Sequence, residues 1–121
     1  MIAEIPLDMD KENQKGWTNP EAAENYALMA DIIVPERREI LSILSKLATE
    51  FGAVNPKIID LGCGLGDVTA EIVKLKPDAN VLMLDFSDEM IKRSSERFRN
   101  QRNITVAKQD LALVFRCSYI L

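Results

Sequence analysis

The groups best placed to do chemistry in this chain are seven consecutive residues and two later acids. The run is Asp60–Leu61–Gly62–Cys63–Gly64–Leu65–Gly66, and the acids are Asp85 and Asp110. Glycines at alternate positions permit a tight bend and remove side chains that would hold a ligand off the backbone. Asp85 follows the bend by about 20 residues, the spacing at which a strand-end carboxylate accepts hydrogen bonds from both hydroxyls of a ribose. Asp60 either works through the loop amides and a ligand amino group or simply caps the turn. Composition excludes other chemistries. The chain has no histidine, which removes imidazole acid–base catalysis, His-based triads and His–metal sites. Cys63 and Cys117 have neither metal-ligand spacing nor a disulfide framework. Cys63 reads as a small buried filler rather than a nucleophile. No metal is expected, and spacing alone singles out no catalytic residue.

These groups need elements to position them. Asn19–Pro20–Glu21 reads as a helix start: an amide N-cap, proline in the first turn and an acid at the positive dipole end. Ala22, Tyr26, Met29, Ala30 and Ile33 then recur at helical spacing. Pro35 interrupts, and from Glu36 a second helix is expected to bury Ile40, Leu44, Leu47, Ala48 and Phe51 on one face. Lys57–Leu61 is a short apolar run that ends on the glycines and fits a strand buried on both faces. Asp67 to Lys76 reads as a helix, with Val68, Ile72 and Leu75 on one side. Asn80–Leu84 reads as a strand stopping at Asp85. Ser87 caps a helix from Asp88 to about Arg99 that turns Ile91 and Phe98 inward, and Ile104–Ala107 reads as a third strand before Gln109–Asp110. This alternation predicts an α/β fold, a Rossmann-like parallel sheet with right-handed crossovers and helices on both faces, preceded by a helical extension.

Two nucleotide-binding designs share the Gly-x-Gly opening. A dinucleotide fingerprint would place a small residue at position 67, and its pyrophosphate would rest on the helix N-terminus. Asp67 would repel that phosphate, yet it suits a ligand without one and favours the helix dipole. The spacing therefore favours a ligand without phosphate, and the run 60–66 closely resembles the first motif of class I S-adenosylmethionine-dependent methyltransferases, Asp/Glu-x-Gly-x-Gly-x-Gly. Phe86–Ser87–Asp88–Glu89–Met90 resembles the stretch that follows the family's ribose acid, and Asp110 matches an acid the family places after its third strand. The resemblance runs from about Ile58 to Leu111 and points to the small-molecule branch that includes the type 11, 12 and 25 methyltransferase domains.

The resemblance implies S-adenosyl-L-methionine as cofactor. It implies cofactor contacts at Asp60, Gly62, Cys63, Gly64, Gly66, Asp85, Phe86, Met90, Asp110 and Leu111. Met90 would pack on the adenine and Asp110 accept from its amino group. An N-terminal aromatic, Tyr26 or Trp17, would lie over the methionine end. Residues 1–52 would form an arm and helices on the cofactor-lid and substrate side, and 53–121 part of the cofactor domain. About three strands of a seven-strand fold would be present, because the tail 111–121 lacks the usual start of strand four. The implied reaction is methyl transfer to a small-molecule acceptor that nothing here names. The alternatives are an NAD(P)-dependent oxidoreductase domain and an inactive fragment acting as a binding module.

The bulk properties agree with a cytoplasmic enzyme fragment. Hydrophobic residues make up 47% and charged residues 28%, with a net charge of −4 and no basic face for nucleic acid. No apolar run nears the roughly 18 residues that span a bilayer. If the tail does not pair with it, the first strand has an open apolar edge that invites self-association.

Overall fold

The computed structural model describes residues 16–51 and 54–111. Helix α1, Pro20–Ile33, begins where expected: the Asn19 side-chain oxygen accepts from the Glu21 amide at 2.9 Å, and Pro20 opens the first turn. Glu36 takes a left-handed conformation, φ 59°, which reverses the chain into α2, Arg37–Glu50. Then follow β1, Lys57–Leu61, α3, Asp67–Leu75, β2, Asn80–Asp85, α4, Asp88–Arg97, and β3, Ile104–Lys108. Ser87 caps α4 by accepting from the Met90 amide. No described helix is long and apolar enough to cross a membrane.

The three strands are parallel in the order β1-β2-β3, with Ile58, Val81 and Ile104 in register and Asp60, Met83 and Val106 two residues on. Those residues share one face of the sheet. Ile72 of α3 and Phe98 at the end of α4 form a buried cluster with Ala79, Val81 and Met83. Ile58, Val68, Ile104, Val106 and Ala48 of α2 pack against it. Helices α2, α3 and α4 thus gather on that face. Successive right-handed crossovers that progress in one direction put their helices on the same side, and the second face is covered only where strand order reverses. The parallel strands with their helices agree with the expected Rossmann-like fold, and α2, α3 and α4 cover the face just described. On the other, Ile59 is 61% and Leu61 53% exposed, so β1 is not the doubly buried strand its composition suggested.

Helix α2 also departs from expectation. Ile40, Leu44, Leu47 and Phe51 are exposed, while Ser45 and Thr49 are buried and Ala48 reaches the core. Small side chains let α2 lie close to the neighbouring elements. The two hydroxyls are buried without cost because each donates to a carbonyl of its own helix, Ser45 to Ser42 and Thr49 to Ser45. The tail discussed above falls, from residue 112, outside the described residues.

Candidate functional site

The glycine bend begins where β1 ends. The amides of Gly62 and Cys63 both donate to the Leu84 carbonyl, at 2.8 and 3.0 Å, which pins the bend to the tip of β2. Gly62 and Gly64 adopt φ of 68° and 54°, and a Cβ built on either would meet nothing within 4 Å. Open space therefore lies over this backbone, of the kind a ligand resting on it requires. Gly66 differs. At φ 81° its missing Cβ would stand 2.5 Å from the Phe98 ring and 2.6 Å from the Met83 methyl, so its smallness serves helix–sheet packing.

Asp85, the last residue of β2, is almost fully buried. One carboxylate oxygen accepts from the Gly64 amide at 2.9 Å, and the other from the Ser87 amide at 2.9 Å. Each oxygen keeps lone-pair capacity for a further donor. Its carbonyl accepts from the Gln109 amide at 2.8 Å, tying in the end of β3. Around this acid lies a cleft of about 210 Å³ lined by Trp17, Tyr26, Gly62, Gly64, Asp85, Phe86 and Met90. Trp17 and Tyr26 meet edge to face with centroids 5.5 Å apart. The structure thus brings Tyr26, Gly62, Gly64, Asp85, Phe86 and Met90 together. Asp60, Cys63, Gly66, Asp110 and Leu111 do not line this cleft.

Asp60 lies on the core side of β1 and accepts from the Thr69 hydroxyl at 2.8 Å, joining β1 to α3. Burial raises its pKa above the ordinary carboxylate value, the Thr69 bond opposes that, and the Asp85 charge adds to it. The Cys63 thiol is pushed up to about 12 by burial and by the charges of Asp85 and Asp60. A thiolate is thus strongly disfavoured there.

Two features went unread in the sequence. The Ser87 hydroxyl donates to the Trp17 carbonyl at 2.7 Å, so one residue caps α4, bonds Asp85 and holds the aromatic segment. Arginines brace the bend from outside. Arg97 donates to the Leu65 carbonyl at 2.9 Å and to Asp67 at 2.7 Å. Arg37 pairs with Asp67 and with Asp31. Ser87 was legible as a cap, whereas arginines 30 positions from their acid leave no local signal. With a carboxylate already held at the start of α3, a pyrophosphate would find that helix N-terminus taken.

Residues 58–116 match a family described as a methyltransferase domain. A malonyl-[acyl-carrier protein] O-methyltransferase of Bacillus cereus is 32% identical over 90 residues, 74% of this chain and 32% of that protein. A carboxy-S-adenosyl-L-methionine synthase of Pectobacterium atrosepticum is 29% identical over 117 residues, 92% of this chain and 46% of that one. The chain therefore spans a third to a half of the length of these curated relatives. A SAM-dependent methyltransferase from Aquifex aeolicus superposes with a TM-score of 0.54 at 23% identity, over 76% of this chain and 47% of its own. That likeness concerns the fold. Sequence match, strand order and the glycine bend agree in likening residues 58–116 to a methyltransferase domain.

Proposed function

We propose that this chain is the nucleoside-binding part of an S-adenosylmethionine-dependent methyltransferase acting on a small molecule. The observation that carries the reading is Asp85: a buried carboxylate held by the Gly64 and Ser87 amides, in a cleft roofed by Trp17 and Tyr26. The cofactor fits on two further counts. The space over Gly62 and Gly64 is open, and the guarded start of α3 suits a nucleoside with no phosphate.

In this reading Asp85 accepts from the ribose hydroxyls, and Phe86 and Met90 supply apolar surface for the adenine. Asp110 and Leu111, one step beyond the Gln109 tie, take the adenine edge. Gly62 and Gly64 offer bare backbone, Cys63 and Gly66 shape the bend, and Asp60 stiffens it through Thr69. Tyr26 and Trp17 close over the methionine end. Bound there, S-adenosylmethionine supplies a methyl group already activated by its sulfonium charge. The residues then need only orient the partners and keep water out, which a histidine-free chain can do. Residues 1–52 form the lid and substrate side, and 53–121 the cofactor side. We place the protein in the reducing cytoplasm, consistent with the free Cys63. The edge of β1, unpaired among the described residues, and the exposed sheet face that carries Ile59 and Leu61 are its surface for self-association.

Calorimetric titration with S-adenosylhomocysteine and, separately, NADH tests the reading. Binding of the first and not the second is expected, and Asp85→Ala is expected to abolish it. Preference for NADH, or binding indifferent to Asp85, would overturn the proposal.

A further inference from the structure

The roof of the nucleoside cleft is joined to its floor through one side chain. Ser87 is fully buried. Its amide donates to Asp85 at 2.9 Å, and its hydroxyl donates to the Trp17 carbonyl at 2.7 Å, 70 positions away in the sequence. Trp17 meets Tyr26 edge to face, and both residues line the cleft around Asp85. The oxygen that caps α4 by accepting from the Met90 amide is therefore also the one that fixes where the aromatic pair stands. The other described ties of this segment are weaker. The buried side chains of α1 are Ala23 and Ala30, the smallest apolar ones, so their burial contributes little. Its ion pairs end on acids open to water: Glu24, 57% exposed, with Arg93, and Asp31, 42% exposed, with Arg37 and Arg38. Such pairs are screened and contribute little, whereas a buried hydroxyl gives its bond where water does not compete.

We propose that Ser87 is a positioning residue for the cofactor, a latch whose hydroxyl holds Trp17 and Tyr26 over the cleft while its amide fixes Asp85 below. This deepens the cofactor reading and rests on it. A ligand binds with full affinity only to the fraction of molecules whose site is already shaped. Without the hydroxyl the roof spends time open, so a bound nucleoside loses aromatic cover and escapes faster.

Trp17 is the single tryptophan of the chain, so acrylamide quenching of its fluorescence reads the roof directly, with or without a ligand. Ser87→Gly and Ser87→Ala both lack the hydroxyl but differ as N-caps, glycine being the better. Both are expected to raise quenching in the free chain. Both are expected to weaken calorimetric S-adenosylhomocysteine binding to the same extent, about three- to tenfold for one hydrogen bond of ordinary strength, although Ser87→Ala has the lower Tm. Ser87→Thr, which keeps the hydroxyl, is expected to retain both readouts. Ile72→Val trims the core cluster and is expected to lower Tm while leaving both readouts unchanged. Quenching or affinity that stays at the parent value in Ser87→Gly and Ser87→Ala would overturn the proposal, as would a folded Ser87→Thr that behaves like them. So would an affinity loss that follows Tm across the Gly, Ala and Ile72→Val proteins, since loss of stability alone would then account for it. If the parent binds no S-adenosylhomocysteine, the cofactor reading fails, and the latch stands or falls on the quenching alone.

Discussion

The Gly64 amide donates to Oδ2 of Asp85 across 2.9 Å, so the acid ending β2 is locked to the bend that ends β1. The lock makes Asp85 both a binding group and a brace. Asp85→Ala leaves the Gly64 and Ser87 amides without this acceptor, at a cost of about 1–3 kcal/mol for each amide left unsatisfied. Thermal unfolding should show that loss alongside lost S-adenosylhomocysteine binding. Asp85→Asn keeps an acceptor oxygen, and so should recover much of the stability and little of the affinity.

The three glycines should separate into two classes. Gly62→Ala and Gly64→Ala face open space, so each pays only the left-handed backbone cost of about 1–2 kcal/mol. Their Cβ would intrude on the ligand, and calorimetry should show affinity falling by tenfold or more, roughly, for that modest loss. Gly66→Ala drives a methyl into Phe98 and Met83, and overpacking adds about 1–3 kcal/mol to the backbone cost. It should show the lowest Tm of the three.

Asp67 should give acid-sensitive stability. Burial raises its pKa, but hydrogen bonds from Arg97 and Arg37 outweigh that and hold it below the ordinary value. The folded state then binds this proton less tightly than the unfolded one. The stabilisation is complete above the unfolded value and disappears as pH falls through the lower folded one. Asp67→Asn should be less stable by about 1 kcal/mol at neutral pH. Denaturation curves of the two proteins should converge as pH falls through the lowered folded pKa of Asp67.

Asp60 should show the opposite sign. Its folded pKa is raised by burial, so the ionised form costs stability above the folded value, and the cost vanishes below the unfolded one. Asp60→Asn, which keeps an acceptor for Thr69, should gain on the parent as pH rises from the ordinary aspartate value, about 4, up to the raised folded one. A parent that gains instead would contradict the burial argument.

Cys63 should be slow to alkylate. With its thiol pushed up to about 12, almost no thiolate exists at neutral pH. In a Cys117→Ser background, iodoacetamide labelling should run far behind that of the unfolded chain. Cys63→Ala should retain S-adenosylhomocysteine binding, and rapid labelling in the folded state would refute the picture.

Much of the local structure was legible because its causes are local. Asn19–Pro20 and Ser87 start their helices through bonds spanning two or three residues. The glycines at 62, 64 and 66 announce positive φ because other residues rarely adopt it. Alternation of apolar runs with helical periods fixed the parallel α/β order. Period alone did not reveal which stripe of α2 would be covered. Ile40, Leu44, Leu47 and Phe51 form a proper apolar face, yet Ser45, Ala48 and Thr49 make the contact.

The residue types and order of strands, bends and acids were set by the sequence itself, through short-range sterics and hydrogen bonding. Only tertiary structure decided that Asp85 reaches Gly64, that Ser87 holds Trp17, and that Asp60 turns to Thr69. Each of those bonds joins different elements, and its length depends on how the helices settle on the sheet. Packing of many weak contacts fixes that outcome, and no single stretch of chain encodes it.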